Sequence, residues 1–116
     1  MPKARRVRGL LTIIEVDGAV SSEELAAPPA LADLRAGIGG GYIEIVPWFT
    51  KYRGRRCMAF CDEDGKRKGL PINDHATALW HALVAALRGR DVLVGPVVIV
   101  SGAEVLRAMQ SDEEEM

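Results

Sequence analysis

Residues 74–88 carry the clearest helical stripe in the chain: Ala76, Leu79, Trp80, Leu83, Val84 and Leu87 recur at the three-and-four spacing of one helix face. Asn73 or Asp74 supplies a capping oxygen at its start, and Gly89 closes it. Around this helix the chain is broken by turn signals every few residues, as in strands joined by hairpins rather than strands alternating with long helices. The expected fold is α+β, a mostly antiparallel sheet of about five strands with one face packed against the 74–88 helix.

A first strand is expected over residues 7–16, ended by Asp17-Gly18, a pair suited to a tight hairpin, with a return strand beginning at 19–21. Glu23, Glu24 and Leu25 resemble a helix start that Pro28-Pro29 stops, and a second short helix follows over 29–36. Residues 42–46 alternate like a half-buried strand that Pro47 ends. After a polar connection at 50–54, residues 55–61 form the next strand, with Met58 and Phe60 on one face and Cys57, Ala59 and Cys61 on the other. The run 62–66 is a hairpin turn signal, with a short return strand over 66–70. Residues 92–100 are the most apolar stretch, but Gly95-Pro96 interrupts them, so two strand arms joined by a bend are expected, then a last helix over 103–110.

With 116 residues, 48% of them apolar, the chain has the size of one domain with a real core. Its 15 Lys and Arg against 16 Asp and Glu argue against a dedicated nucleic-acid binder while leaving room for a local basic face. Lys3, Arg5, Arg6 and Arg8 open the chain and residues 112–115 are all acidic. A basic flexible tail at 1–6 and an acidic one at 111–116 are therefore expected to flank a single domain at 7–110. No run approaches the roughly 18 apolar residues of a membrane span, and a cytoplasmic protein without membrane contact is expected. Cys57 and Cys61, on one strand, sit about 13 Å apart, too far for a disulfide, which suits a reducing compartment.

Four constellations in the chain bear on chemistry. Gly39, Gly40 and Gly41 offer unshielded amides of the kind that cradle phosphate, but a helix precedes them and a strand follows, the reverse of a dinucleotide fingerprint. Their expected role is a helix exit and strand entry that can also wall a site. His75 and His81, six apart, cannot share a metal on one helix, and no metal or cofactor is expected. A nucleophile built from Cys57 or Cys61 with a histidine is one rival, a small hydrolase. The sharpest signal is basic and aromatic: Lys51, Arg53, Arg55, Arg56, Lys66, Arg67 and Lys68, interleaved with Trp48, Phe49, Tyr52 and Phe60. Such a hairpin can contact phosphate and stack a base, or hold an anionic nucleotide or an acidic protein surface.

The segments Gly40-Gly41-Tyr42-Ile43-Glu44-Ile45-Val46, Cys61 through Asn73, and Val94-Gly95-Pro96-Val97-Val98-Ile99-Val100-Ser101-Gly102 together resemble domain-of-unknown-function family 3846. The resemblance covers about residues 10–102 and leaves out both charged ends. It implies an accessory protein of a phage, plasmid or similar mobile element, made inside a bacterial cell, and carries no catalytic residues. The expected function is a non-enzymatic binding module that counters host defence by sequestering a host protein or a nucleotide-like ligand. A nucleic-acid-binding regulator using the 48–68 region is the alternative. The expected contact surface is Gly39, Gly40, Gly41, Tyr42, Trp48, Tyr52, Arg53, Arg55, Arg56, Lys66, Arg67 and Lys68, with Asn73 and His75 at its rim. A homodimer is expected because apolar residues 47–49 would otherwise be left uncovered.

Overall fold

The computed structural model describes residues 8–114, and side chains through Gln110. The expected basic tail at 1–6 lies outside the described residues. Arg8 belongs to the folded body, where its guanidinium donates to Glu104 at 3.2 Å and to the Ala26 carbonyl at 3.1 Å.

The fold is α+β. An antiparallel sheet is built from β1 (Gly9–Ile14), β2 (Val20–Leu25), β3 (Ile43–Ile45), β4 (Lys51–Tyr52), β5 (Arg55–Asp62) and β6 (Val97–Ser101). Its order is β2-β1-β6-β5-β3, and β4 also pairs with β5. The helices are α1 (Leu31–Gly37), α2 (Asp74–Leu83) and α3 (Ala103–Glu114).

β6 lies at the centre, and all five of its residues are buried. Val97 and Ile99 join Ile14, Ala59, Ala76 and Trp80 on the α2 side. Val98 and Val100 join Leu11, Leu34, Phe60 and Val105 on the side of α1 and α3. Both faces are thus covered, whereas the sequence pattern suggested one. Each buried Val or Ile contributes about 1.5–3 kcal/mol, so the strand with no polar face belongs where helices cover both sides.

Other departures have local causes. The expected helix start at 22–25 is strand β2, because its backbone pairs with β1 from Gly9↔Leu25 to Ile14↔Val20 and would otherwise leave that edge open. The polar connection at 50–54 contains β4 and a tight turn. The expected return strand at 66–70 is a series of turns, its amides bonding locally, as from Lys68 to the Asp64 carbonyl at 2.9 Å. α2 ends at Leu83: Val84 leaves helical geometry and a 3-10 turn over Ala85–Leu87 brings Leu87 back onto the core. Of the two arms expected in 92–100, only the second is a strand. In the first, the Leu93 carbonyl accepts from the Asn73 amide and the Gly95 amide donates to the Pro71 carbonyl, each at 2.8 Å. α3 continues past Gln110 to Glu114, so helix occupies the start of the expected acidic tail.

Candidate functional site

The strand pairing on β5 contains an irregularity that shapes the surface. From Ile45, which faces Phe60, to Lys51, which faces Arg56, one strand advances six residues while the other advances four. The two extra residues form a bulge around Pro47, Trp48 and Phe49, a device that re-aims side chains without ending the sheet. Phe49 turns inward and is 1% exposed, whereas Trp48 stands 64% exposed. Trp48 adopts φ 62°, and proline followed by a positive φ is the pattern of a turn whose third position is normally glycine. Holding an L-residue there costs on the order of 1 kcal/mol or more. The bulge is pinned from below by the Trp80 indole, which donates to the Pro47 carbonyl at 2.8 Å. Phe49 joins Val46 in the core, while Pro47 and Trp48 stay exposed from the apolar run on which a homodimer was expected.

Beyond the bulge, β4 and β5 close through Arg53-Gly54, both at positive φ as a two-residue hairpin of this hand requires. Lys51 faces Arg56 and Tyr52 faces Arg55 across the ladder. Arg53 lies over the Tyr52 ring at 5.7 Å. Among the described residues, none of Lys51, Arg53, Arg55 and Arg56 has a carboxylate partner within ion-pair distance. Two depressions meet at Thr50. One, of about 640 Å³, is lined by Trp48, Lys51, Leu83, Leu87 and Arg90. The other, of about 280 Å³, is lined by Arg56, Met58, Leu106 and Arg107.

The rest of the expected surface lies at the opposite end of β5, an eight-residue strand whose ends are roughly 23 Å apart. There Asp62 is buried and accepts from Lys68 Nζ at 2.7 Å and from the Asp64 amide at 2.8 Å. The Lys68 hydrogen bond, ahead of the Asp64 amide, holds its carboxyl below the usual carboxylate range against the opposing cost of burial. Lys66 pairs with Asp91, whose carboxyl is lowered chiefly by that bond, and Arg67 pairs with Asp64 at 3.1 Å. The basic half contributed by Lys66, Arg67 and Lys68 is therefore spent within the fold. The adjoining cleft of about 310 Å³ is lined by Glu44, Asp62, Glu63 and Asp91 against Lys66 alone, which repels anions.

The glycine segment is also structural. The amides of Gly39 and Gly40 bond the Ala36 and Arg35 carbonyls, and Arg35 donates to the Gly40 and Gly41 carbonyls, so no phosphate cradle is open. A side chain at Gly41 would meet the Asp62 carboxylate at 2.4 Å, which is why glycine sits there. Tyr42 is exposed under the Arg35 guanidinium, 4.8 Å from its ring. Asn73 is fully buried rather than at a rim: it caps α2 by accepting from the Ala76 amide at 3.0 Å and donates to the Ile14 and Gly95 carbonyls. His75 is exposed on α2, while His81 bonds the Asp91 carbonyl at 2.7 Å. The cysteines are free thiols, and burial pushes each up to about 11, with Glu44 and Asp62 adding to the effect at Cys61. Cys57 donates to the Phe49 carbonyl at 3.6 Å, and among the described residues no cluster of metal-ligating side chains forms.

A family model described as a domain of unknown function, DUF3846, matches residues 10–113. The chain belongs to the DUF3846 family. The match runs past Gly102 through most of α3 and into the acidic end, so this helix is part of the DUF3846 domain and not an appendage to it. Comparison with curated proteins and with solved structures finds no match.

Within this DUF3846 domain, Trp48, Tyr52, Arg53, Arg55 and Arg56 are brought together, while Gly39 to Tyr42 and Lys66 to Lys68 are held apart from them around Asp62. Arg90 and Arg107, which line the two depressions, were missed. Each comes from a helix-associated segment distant in sequence, and no local pattern marks either one as a neighbour of the hairpin.

Proposed function

We propose that this DUF3846 protein is a non-enzymatic binding module of a phage or other mobile element that takes an anionic partner at the 48–56 end of the sheet, and that it counters host defence by sequestering that partner. The observation that carries the reading is the pairing of an exposed, conformationally costly Trp48 with four cations, Lys51, Arg53, Arg55 and Arg56, that have no carboxylate partner among the described residues. Charged groups with an internal role are neutralised elsewhere in this fold, as Lys66 and Lys68 are; those left open are available to something outside it. The thiols support a binding role over the hydrolase rival, since a pKa near 11 leaves about one thiolate in ten thousand at pH 7.

The test is retention on an immobilised polyanion such as heparin at low salt, comparing the native protein with the triple variant Arg53→Ala, Arg55→Ala, Arg56→Ala. The native chain is expected to bind and the variant to flow through with its thermal midpoint unchanged. Equal behaviour of the two folded proteins would remove the hairpin from the contact surface.

A further inference from the structure

We propose that the partner is a single-stranded nucleic acid, with one base stacked on Trp48 and the backbone phosphates following the cations from Arg90 and Lys51 across to Arg56 and Arg107. This inference rests on the reading of the hairpin as an anion-binding surface and adds the class of anion. Three observations carry it. The bulge spends backbone strain to present a flat aromatic ring outward, and an exposed indole beside cations is a stacking platform for an unpaired base. The cations lie on both sides of Thr50, in two adjoining depressions, so they follow a path rather than a point, as a phosphate backbone requires. Most of them are arginines, whose planar fork matches phosphate in a bidentate fashion.

A duplex is disfavoured because its bases are already stacked on one another, leaving Trp48 nothing to cover. The net charge of −1 also provides no broad positive field to hold a rod of phosphates. An acidic protein segment is the outcome that polyglutamate tests, because the depression holding Lys51 and Arg90 is also lined by Leu83, Val84, Ala86 and Leu87.

The experiment is a titration of the full chain, native and variant, into a short fluorescently labelled oligothymidine followed by anisotropy, with the same sequence as a duplex and with polyglutamate as competitors, and with tryptophan fluorescence read alongside in the native protein. Trp80 is buried, so quenching reports on Trp48. The single strand is expected to quench and bind, with the duplex and polyglutamate at least tenfold weaker. Trp48→Gly should weaken binding about tenfold, in keeping with one lost stacked base. Trp48→Phe should recover most of that loss, which separates stacking from misfolding. Arg56→Gln should lower the slope of log affinity against log salt by about 0.7, the value of one single-strand phosphate contact. Absence of oligothymidine binding in a protein still retained on the polyanion would overturn this inference and leave the binding module standing. So would tighter binding of polyglutamate, which would make the partner an acidic protein. Loss of both activities would bring down both readings.

Discussion

At the scale of single residues, Trp48 and Asn73 show how one position can be polar or apolar for reasons its neighbours in sequence do not reveal. Trp48 follows a proline in a run of apolar residues and has the composition of core, yet the bulge turns it outward and places Phe49 in its stead. Because its φ of 62° suits glycine, Trp48→Gly is expected to leave stability unchanged or raise it by up to about 1 kcal/mol in urea denaturation. A loss of more than about 1 kcal/mol would show that the indole is a packing group, and its exposure would then need no functional reason. Asn73 was legible, alongside Asp74, as a candidate helix cap from its place before an apolar stripe, and the structure decides for Asn73. Its second task, joining the Ile14 and Gly95 carbonyls, was not, since those partners lie 59 and 22 residues away.

At the scale of elements, the turn after β5 is an electrostatic knot. Asp62, Asp64 and Asp91 each take a cation from the 66–68 segment, and the Asp62 carboxylate fills the space against Gly41. Asp62 and Asp91 have folded pKa values below their ordinary ones. A depressed carboxylate stabilises the fold above its unfolded pKa, near 3.9, and that contribution is lost as pH falls through the folded value. The urea midpoint is therefore expected to hold from neutral pH down to about 4 and then to fall steeply. Lys68→Met leaves Asp62 buried without its cation. This variant should be less stable at pH 7 by about 1 kcal/mol, a modest figure because Lys68 is nearly half exposed, and the gap should narrow toward pH 3 as Asp62 gains a proton. Parallel curves for the two proteins would show that the pair carries no stability. The same element explains why a run of Lys and Arg in sequence was a poor guide to surface charge: its acidic partners include Asp91, 25 residues beyond Lys66.

At the scale of the whole molecule, the sheet order sets a gradient of protection. β6 has a paired strand on each side and helices over both faces, while β2 is an edge whose side chains are nearly all exposed. Amides of Val98 and Ile99 are expected to exchange only through global unfolding, and those of β2 and β4 through local opening orders of magnitude faster, read by native-state hydrogen exchange. Exchange in β6 as fast as in β2 would contradict this layering. The chain by itself determined the α+β class, the hairpin at Asp17-Gly18, the two faces of β5 and the cap of α2, because alternation, turn residues and capping oxygens act over a few neighbours. Tertiary structure alone decided that β6 is central with both faces covered, that Trp48 faces solvent, and that the basic residues divide into a neutralised group around Asp62 and an open group around Thr50. Those outcomes depend on register and on ion pairs between segments far apart in sequence, and a strand eight residues long is enough to hold two halves of one apparent motif apart at its opposite ends.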